Sequence, residues 1–137
     1  MFERINPATG EKMEPIAEMD DAAVDAALAR AHATYREWRT SSLDTRTALL
    51  SRIADGFEAD KQRLAEIATR EMGKTLKSSI AEVEKCAAAF RHYAEHGPSF
   101  LEGEEVAVSK GAARTRWLPL GPVLAIMPWN FPYWQVV

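Results

Sequence analysis

Only a few residues in this chain have side chains that could do chemistry. Cys86 lies in Glu84-Lys85-Cys86-Ala87, where a neighbouring ammonium can lower a thiol's pKa and make it a nucleophile. The apolar spacing around it is helical, and no histidine stands where it could serve as its base. A small packing residue is therefore the stronger reading. His92 and His96 are four residues apart, so both imidazoles fall on one helix face at a spacing that metals use. No HExxH pattern or cysteine pair completes a ligand set, and two solvent-facing residues near a helix C-terminus fit better. Glu71-Met72-Gly73-Lys74-Thr75 has the end of a phosphate-binding loop without its leading glycine, which excludes that loop. The acid pairs Asp20/Asp21 and Glu104/Glu105 read as solvated charges and cap material.

The segment Met127-Pro128-Trp129-Asn130-Phe131-Pro132 is different. It follows Pro122–Met127, a short apolar run bounded by prolines that suits a strand buried on both faces, as in a parallel sheet. Ligands of open α/β sheets bind at the carboxyl ends of strands. An amide held there between prolines, with aromatics excluding water, can donate to a developing oxyanion. The same residues also fit a proline-rich turn capped by an asparagine, and chemistry alone favours that plainer reading.

Several elements must position these groups. Asn6-Pro7-Ala8-Thr9-Gly10 is turn chemistry, followed by an extended piece near Met13–Ala17. Asp20 and Asp21 open a helix running to about Arg39, with Val24, Ala27, Leu28, Ala31, Tyr35 and Trp38 on one face. Ser41, Ser42 and Asp44 cap a second helix, whose apolar face carries Leu49, Leu50, Ile53 and Phe57. Asp60 caps a third, ending at Gly73 in a left-handed conformation. Thr75 to His96 is a fourth, closed by Gly97-Pro98. Alternation at 105–108 and 113–117 around Lys110-Gly111 predicts a hairpin. The order is helices, a hairpin and the first strand of an α/β sheet. That strand has no parallel neighbour in the sequence, so the expected α/β fold is incomplete.

Composition narrows the function. The 137 residues include 47% hydrophobic and 27% charged residues, an ordinary balance for one soluble domain with a core. The net charge of −3, with Lys and Arg scattered among acids, argues against a nucleic-acid partner. A lone cysteine forms no internal disulfide, and the charged start is unlike a secretory signal. A cytoplasmic location is expected. Trp117–Val137 is uncharged and long enough to span a bilayer, but four prolines in it oppose a membrane helix.

Pro128-Trp129-Asn130-Phe131-Pro132, preceded by Leu120-Gly121-Pro122-Val123-Leu124-Ala125-Ile126-Met127, closely resembles a signature of the aldehyde dehydrogenase superfamily. Ile5-Asn6-Pro7-Ala8-Thr9-Gly10-Glu11, Glu71-Met72-Gly73-Lys74 and the long helix carrying Glu82 agree in order and spacing. Glu71–Leu76 and Asn130–Gln135 look most like the succinate-semialdehyde dehydrogenase branch. The resemblance implies that Asn130 is the oxyanion-hole asparagine, stabilising the thiohemiacetal formed when a cysteine attacks the aldehyde. It implies that Met127, Pro128, Trp129 and Asn130 lie against the nicotinamide-ribose side of NAD or NADP, and that Phe131 and Trp134 border the substrate channel. It divides the chain into a helical part of the cofactor-binding domain (1–100), an oligomerisation hairpin (101–119) and the start of the cofactor-binding sheet (120–137). Members of the family are about three times as long, and their nucleophile, general base and cofactor-loop glycines match nothing here. Cys86 does not match the nucleophile. The expectation is therefore an N-terminal portion, inactive alone, of an enzyme that takes a small aldehyde and forms homo-oligomers when complete. The alternative is a non-catalytic remnant or interaction module docking on a full-length relative. The tail after about Leu101 is expected to be poorly ordered.

Overall fold

A computed structural model describes residues 1–137. The chain opens with an antiparallel hairpin, β1 (Phe2–Ile5) and β2 (Lys12–Ile16), in the register Arg4↔Met13 and Ile5↔Lys12. The turn Asn6–Gly10 closes it: the Ala8 N–H donates to Asn6 Oδ1 at 3.0 Å, and Gly10 takes φ +75°. The turn and the second strand follow from the sequence, but β1 does not. Its four residues, Phe2-Glu3-Arg4-Ile5, do not alternate and three of the four are exposed.

Four helices follow: α1 (Asp21–Trp38), α2 (Leu43–Ala59), α3 (Lys61–Met72) and α4 (Leu76–Phe100). Three begin as their sequences dictate. Asp20 accepts from the Ala23 N–H at 2.8 Å, Ser42 from Thr45 at 3.1 Å and Thr75 from Ser78 at 3.3 Å, each satisfying an orphan helix donor. Asp60, expected as the α3 cap, makes no capping bond, and its carboxylate pairs with Arg63 instead. Gly73 ends α3 at φ +76°, a conformation glycine adopts without cost. The fourth helix runs past Gly97-Pro98 to Phe100, which corrects the expected stop. Proline removes one N–H, but by then only a last turn remains, and Leu101 N–H closes it on Pro98 O at 3.1 Å.

The core lies where α4 packs against α2 and α3. It is built from small residues, Ala54, Ala65, Ala68, Val83, Cys86 and Ala87, which let the helices approach closely. Phe57 on α2 and Phe90 on α4 add an aromatic pair at 5.6 Å. The first helix buries nothing: its apolar face is present, but Val24, Leu28 and Trp38 are exposed. Arg46 holds its C-terminus to α2 by donating to the Trp38 and Arg39 carbonyls at 3.2 and 3.1 Å.

Beyond α4 a short hairpin pairs β3 (Glu105–Val106) with β4 (Ala113–Arg114). It has two residues per strand, fewer than the alternation predicted. Gly103 is required at its base, because a Cβ there would stand 2.1 Å from Thr115 O. The run Pro122–Met127 forms no strand: it pairs with nothing, and Leu124 and Ile126 are 86% and 88% exposed. Hydrophobicity makes a segment suitable for burial, but a strand exists only when a neighbour satisfies its backbone. The architecture is thus mixed α/β, with a helical body and two small antiparallel hairpins. No helix is long and apolar enough to cross a membrane.

Candidate functional site

The three motifs far apart in sequence meet on one side of the helical body. Arg4 of β1 forms an ion pair with Glu71 at the end of α3 and also donates to Glu14 O at 2.9 Å. Pro7, at the tip of the first hairpin, covers Gly73 so closely that a Cβ there would lie 3.0 Å from its ring. The first hairpin is therefore fixed to the Glu71–Lys74 corner by an ion pair and a steric fit. The last segment completes the assembly. Pro7, Ile67, Met72, Trp129, Pro132 and Tyr133 border an open cleft of about 670 Å³.

The last turn is held by a buried carboxylate. Glu82 is 4% exposed, in the middle of the inward stripe Ser79, Glu82, Val83, Cys86 of α4. Its Oε1 accepts from the Tyr133 and Trp134 backbone N–H groups at 2.9 and 3.0 Å, while Oε2 receives Lys74 Nζ at 2.5 Å. The Glu82 carboxyl stays below its ordinary pKa. Burial is the largest single influence and pushes it up, but the bonds from Lys74, Trp134 and Tyr133 together outweigh it. Tyr133 adds a second anchor. Its hydroxyl donates to Leu64 O at 2.8 Å and its ring meets Phe57 edge-on at 6.1 Å. Burial raises the phenol's pKa, which keeps the donor protonated.

Two lysines pack under the aromatics of the same turn. Lys74 Nζ lies 3.9 Å from the Phe131 ring centroid and Lys85 Nζ lies 3.6 Å from that of Trp134. Both are cation–π distances. Of the residues expected to form the site, Phe131 and Trp134 are thus seated on lysines beside Glu82. Met127, Pro128, Trp129 and Asn130 are exposed just before the seated turn. Sequence reasoning did not assign the seating roles of Glu82, Lys74, Lys85 and Tyr133. One signal was available: Glu82 is the only charge at the i, i+3, i+4, i+7 positions of a buried stripe, and a carboxylate there requires partners.

The other chemical candidates lie elsewhere. Cys86 is fully buried and its thiol is pushed up to about 11, first by burial and then by the Glu82 charge. It is a packing residue with no access to a substrate. His92 and His96 stack at 4.5 Å, and Phe100 continues the row. The second hairpin encloses a separate hollow of about 500 Å³ that holds none of the candidate residues.

Comparison with known proteins agrees with this convergence of motifs. A succinate-semialdehyde dehydrogenase (NADP(+)) 1 of Mycobacterium tuberculosis is 45% identical over 136 residues, covering 97% of this chain and 30% of that protein. The succinate semialdehyde dehydrogenase (NAD(P)+) of Escherichia coli is 44% identical over 135 residues, 97% of this chain and 29% of its own length. The crystal structure of succinic semialdehyde dehydrogenase from Streptococcus pyogenes with NADP+ superposes with a TM-score of 0.93 at 34% identity, over 99% of this chain and 30% of that one. The chain thus spans about 30% of the length of the curated relatives it matches. The model of the aldehyde dehydrogenase family matches residues 1–137, and with its three motifs folded onto one cleft, the chain belongs to that family.

Proposed function

We propose that this chain is the N-terminal portion of an NAD(P)-dependent aldehyde dehydrogenase that oxidises an aldehyde, succinate semialdehyde in the first instance, to the acid. The observation that carries this reading is the family match over all 137 residues, joined to a Phe131–Trp134 turn seated on the helical body. Asn130 serves as the oxyanion donor: its amide meets the negative charge that develops when a cysteine thiolate attacks the aldehyde carbon. That thiolate comes from outside these residues, because Cys86 is buried and its thiol is protonated at neutral pH. Met127, Pro128, Trp129 and Asn130 present an uncharged surface with one amide. Such a surface fits the nicotinamide-ribose side of NAD or NADP, not its phosphates. The dinucleotide supplies the hydride acceptor. Phe131 and Trp134 border the substrate. The hairpin within 101–119 serves as an oligomerisation arm, and the enzyme works in the cytoplasm.

The succinate-semialdehyde assignment draws support from the relatives, whose names carry that substrate. A chimera tests it, with residues 1–137 replacing the matching stretch of the mycobacterial enzyme. The chimera is expected to reduce NADP+ with succinate semialdehyde. Asn130→Ala in it is expected to lower kcat roughly 100- to 1,000-fold with a much smaller change in KM. An unchanged kcat would remove Asn130 from the oxyanion hole. A second reading, a non-catalytic module that docks on a full-length relative, draws on the exposed apolar run at Leu120–Ile126. It predicts that the chain alone becomes soluble only when coexpressed with such a relative.

A further inference from the structure

We propose that Glu82 is a positioning residue: through its bonds to the Tyr133 and Trp134 amides it fixes the turn that directly follows Asn130, and so holds Asn130 in place. The inference rests on the reading of Asn130 as the oxyanion donor, and it extends that reading to a residue outside the reacting centre. An oxyanion donor works only if its amide is held in place before the charge develops. Asn130 is exposed and directly precedes the last turn, so its position depends on what holds the residues after it. The local turn is weak, with a bond from Gln135 N–H to Phe131 O at 3.3 Å and one from Val136 N–H to Tyr133 O at 3.1 Å.

Glu82 supplies what the turn lacks. One carboxylate oxygen takes two successive amides, a geometry that fixes both the position and the rotation of the Tyr133–Trp134 peptide. Lys74 takes the other oxygen and also sits under the Phe131 ring. One ion pair thus touches the residue after Asn130 and the two residues that close its turn. Glu82 is on α4, packed in the core beside Val83 and Cys86. The position of the turn is therefore referred to the buried core of the chain. A carboxylate placed there only for stability would be poorly chosen, since a buried ion pair contributes little net stability over an apolar side chain.

The test uses the 137-residue chain and amide hydrogen exchange followed by NMR, with the Asn130 side-chain amide signals recorded alongside. Glu82→Ala is expected to lower protection at Tyr133 and Trp134 at least tenfold and to shift or broaden the Asn130 amide signals. Protection in α2 and α3 is expected to fall by a clearly smaller factor than at the turn. Glu82→Gln retains an acceptor of the same reach. It is expected to rescue much of the protection and return the Asn130 signals towards their wild-type positions. Unchanged Tyr133 and Trp134 amides in Glu82→Ala would overturn the proposal. So would a loss spread evenly over α2 and α3, which would make Glu82 a residue of core stability alone. If Glu82→Ala does not fold, Glu82→Leu decides, since it keeps the volume and removes the acceptor: lost protection concentrated at the turn supports the proposal, and wild-type protection with unshifted Asn130 signals overturns it. None of these readouts depends on turnover, so failure here leaves the oxyanion reading to be judged by the chimera.

Discussion

Residues 117–129 and 131–135 belong to the same uncharged run, yet the first stretch is exposed and the second is seated on the helices. Leu120 and Ile126 stand almost wholly in solvent, whereas Tyr133 reaches across to Leu64 and Phe57. Hydrophobicity does not separate them, since the exposed stretch is the more aliphatic. The difference is polar. The seated turn offers two backbone donors to a carboxylate already buried in α4, and the exposed stretch has no comparable partner beyond Tyr35, whose hydroxyl donates to Pro119 O at 3.1 Å. A buried charge can thus decide which part of an apolar segment docks, because only a fully satisfied carboxylate can stay in the core.

Breaking the polar partner should have the largest effect. Lys74→Met leaves Glu82 buried without its cation and is expected to cost about 3 kcal/mol at neutral pH, read by chemical denaturation. Tyr133→Phe removes one bond and keeps the ring, so a loss of about 1 kcal/mol is expected by the same measurement. Lowering the pH should have a related effect. The folded pKa of Glu82 lies below its ordinary value, so its contribution is complete above the unfolded value of about 4.3 and is lost as pH falls through the folded one. Protection at Tyr133 and Trp134 should hold steady down to about pH 5 and decline below about pH 4. Constant protection through that range would show that the carboxylate is not the anchor. The smallest effect belongs to the exposed stretch. Leu120→Ser and Ile126→Ser should change stability by less than about 0.5 kcal/mol, with solubility improved. A larger loss would show that the stretch is buried after all.

Cys86 offers an independent probe of the helical body. Its thiol is buried and raised to about 11, so a disulfide reagent at about pH 8 should label it only as the body opens. Labelling at the rate of an unfolded peptide would contradict the packing of α4 against α2 and α3.

The helices were legible because their signals are local. Asp20, Ser42 and Thr75 cap the elements they precede, and Gly73 ends α3 in the left-handed conformation that glycine allows. Asp60 misled because Arg63, one turn away, competes for its carboxylate. The apolar face of α1 was legible, but what covers it was not, since periodicity describes one surface and says nothing of its partner. The same holds for Pro122–Met127, whose composition suits a strand that no neighbour completes. At the site, Asn130 could be singled out from its prolines and aromatics. The convergence of Pro7, Met72 and Trp129 on one cleft could not, because those contacts join residues more than fifty positions apart. Glu82 lay between these cases. Its place on the long helix was readable, but its burial and its partners at Tyr133 and Trp134 required the fold.

The most direct test of the account is amide exchange along the unmodified chain, comparing residues 131–135 with 117–129. The account predicts protected amides at Tyr133 and Trp134 and near-unprotected exchange from Leu118 to Trp129. Uniform exchange across both stretches, fast or slow, would contradict it, because the Glu82 carboxylate would then distinguish nothing.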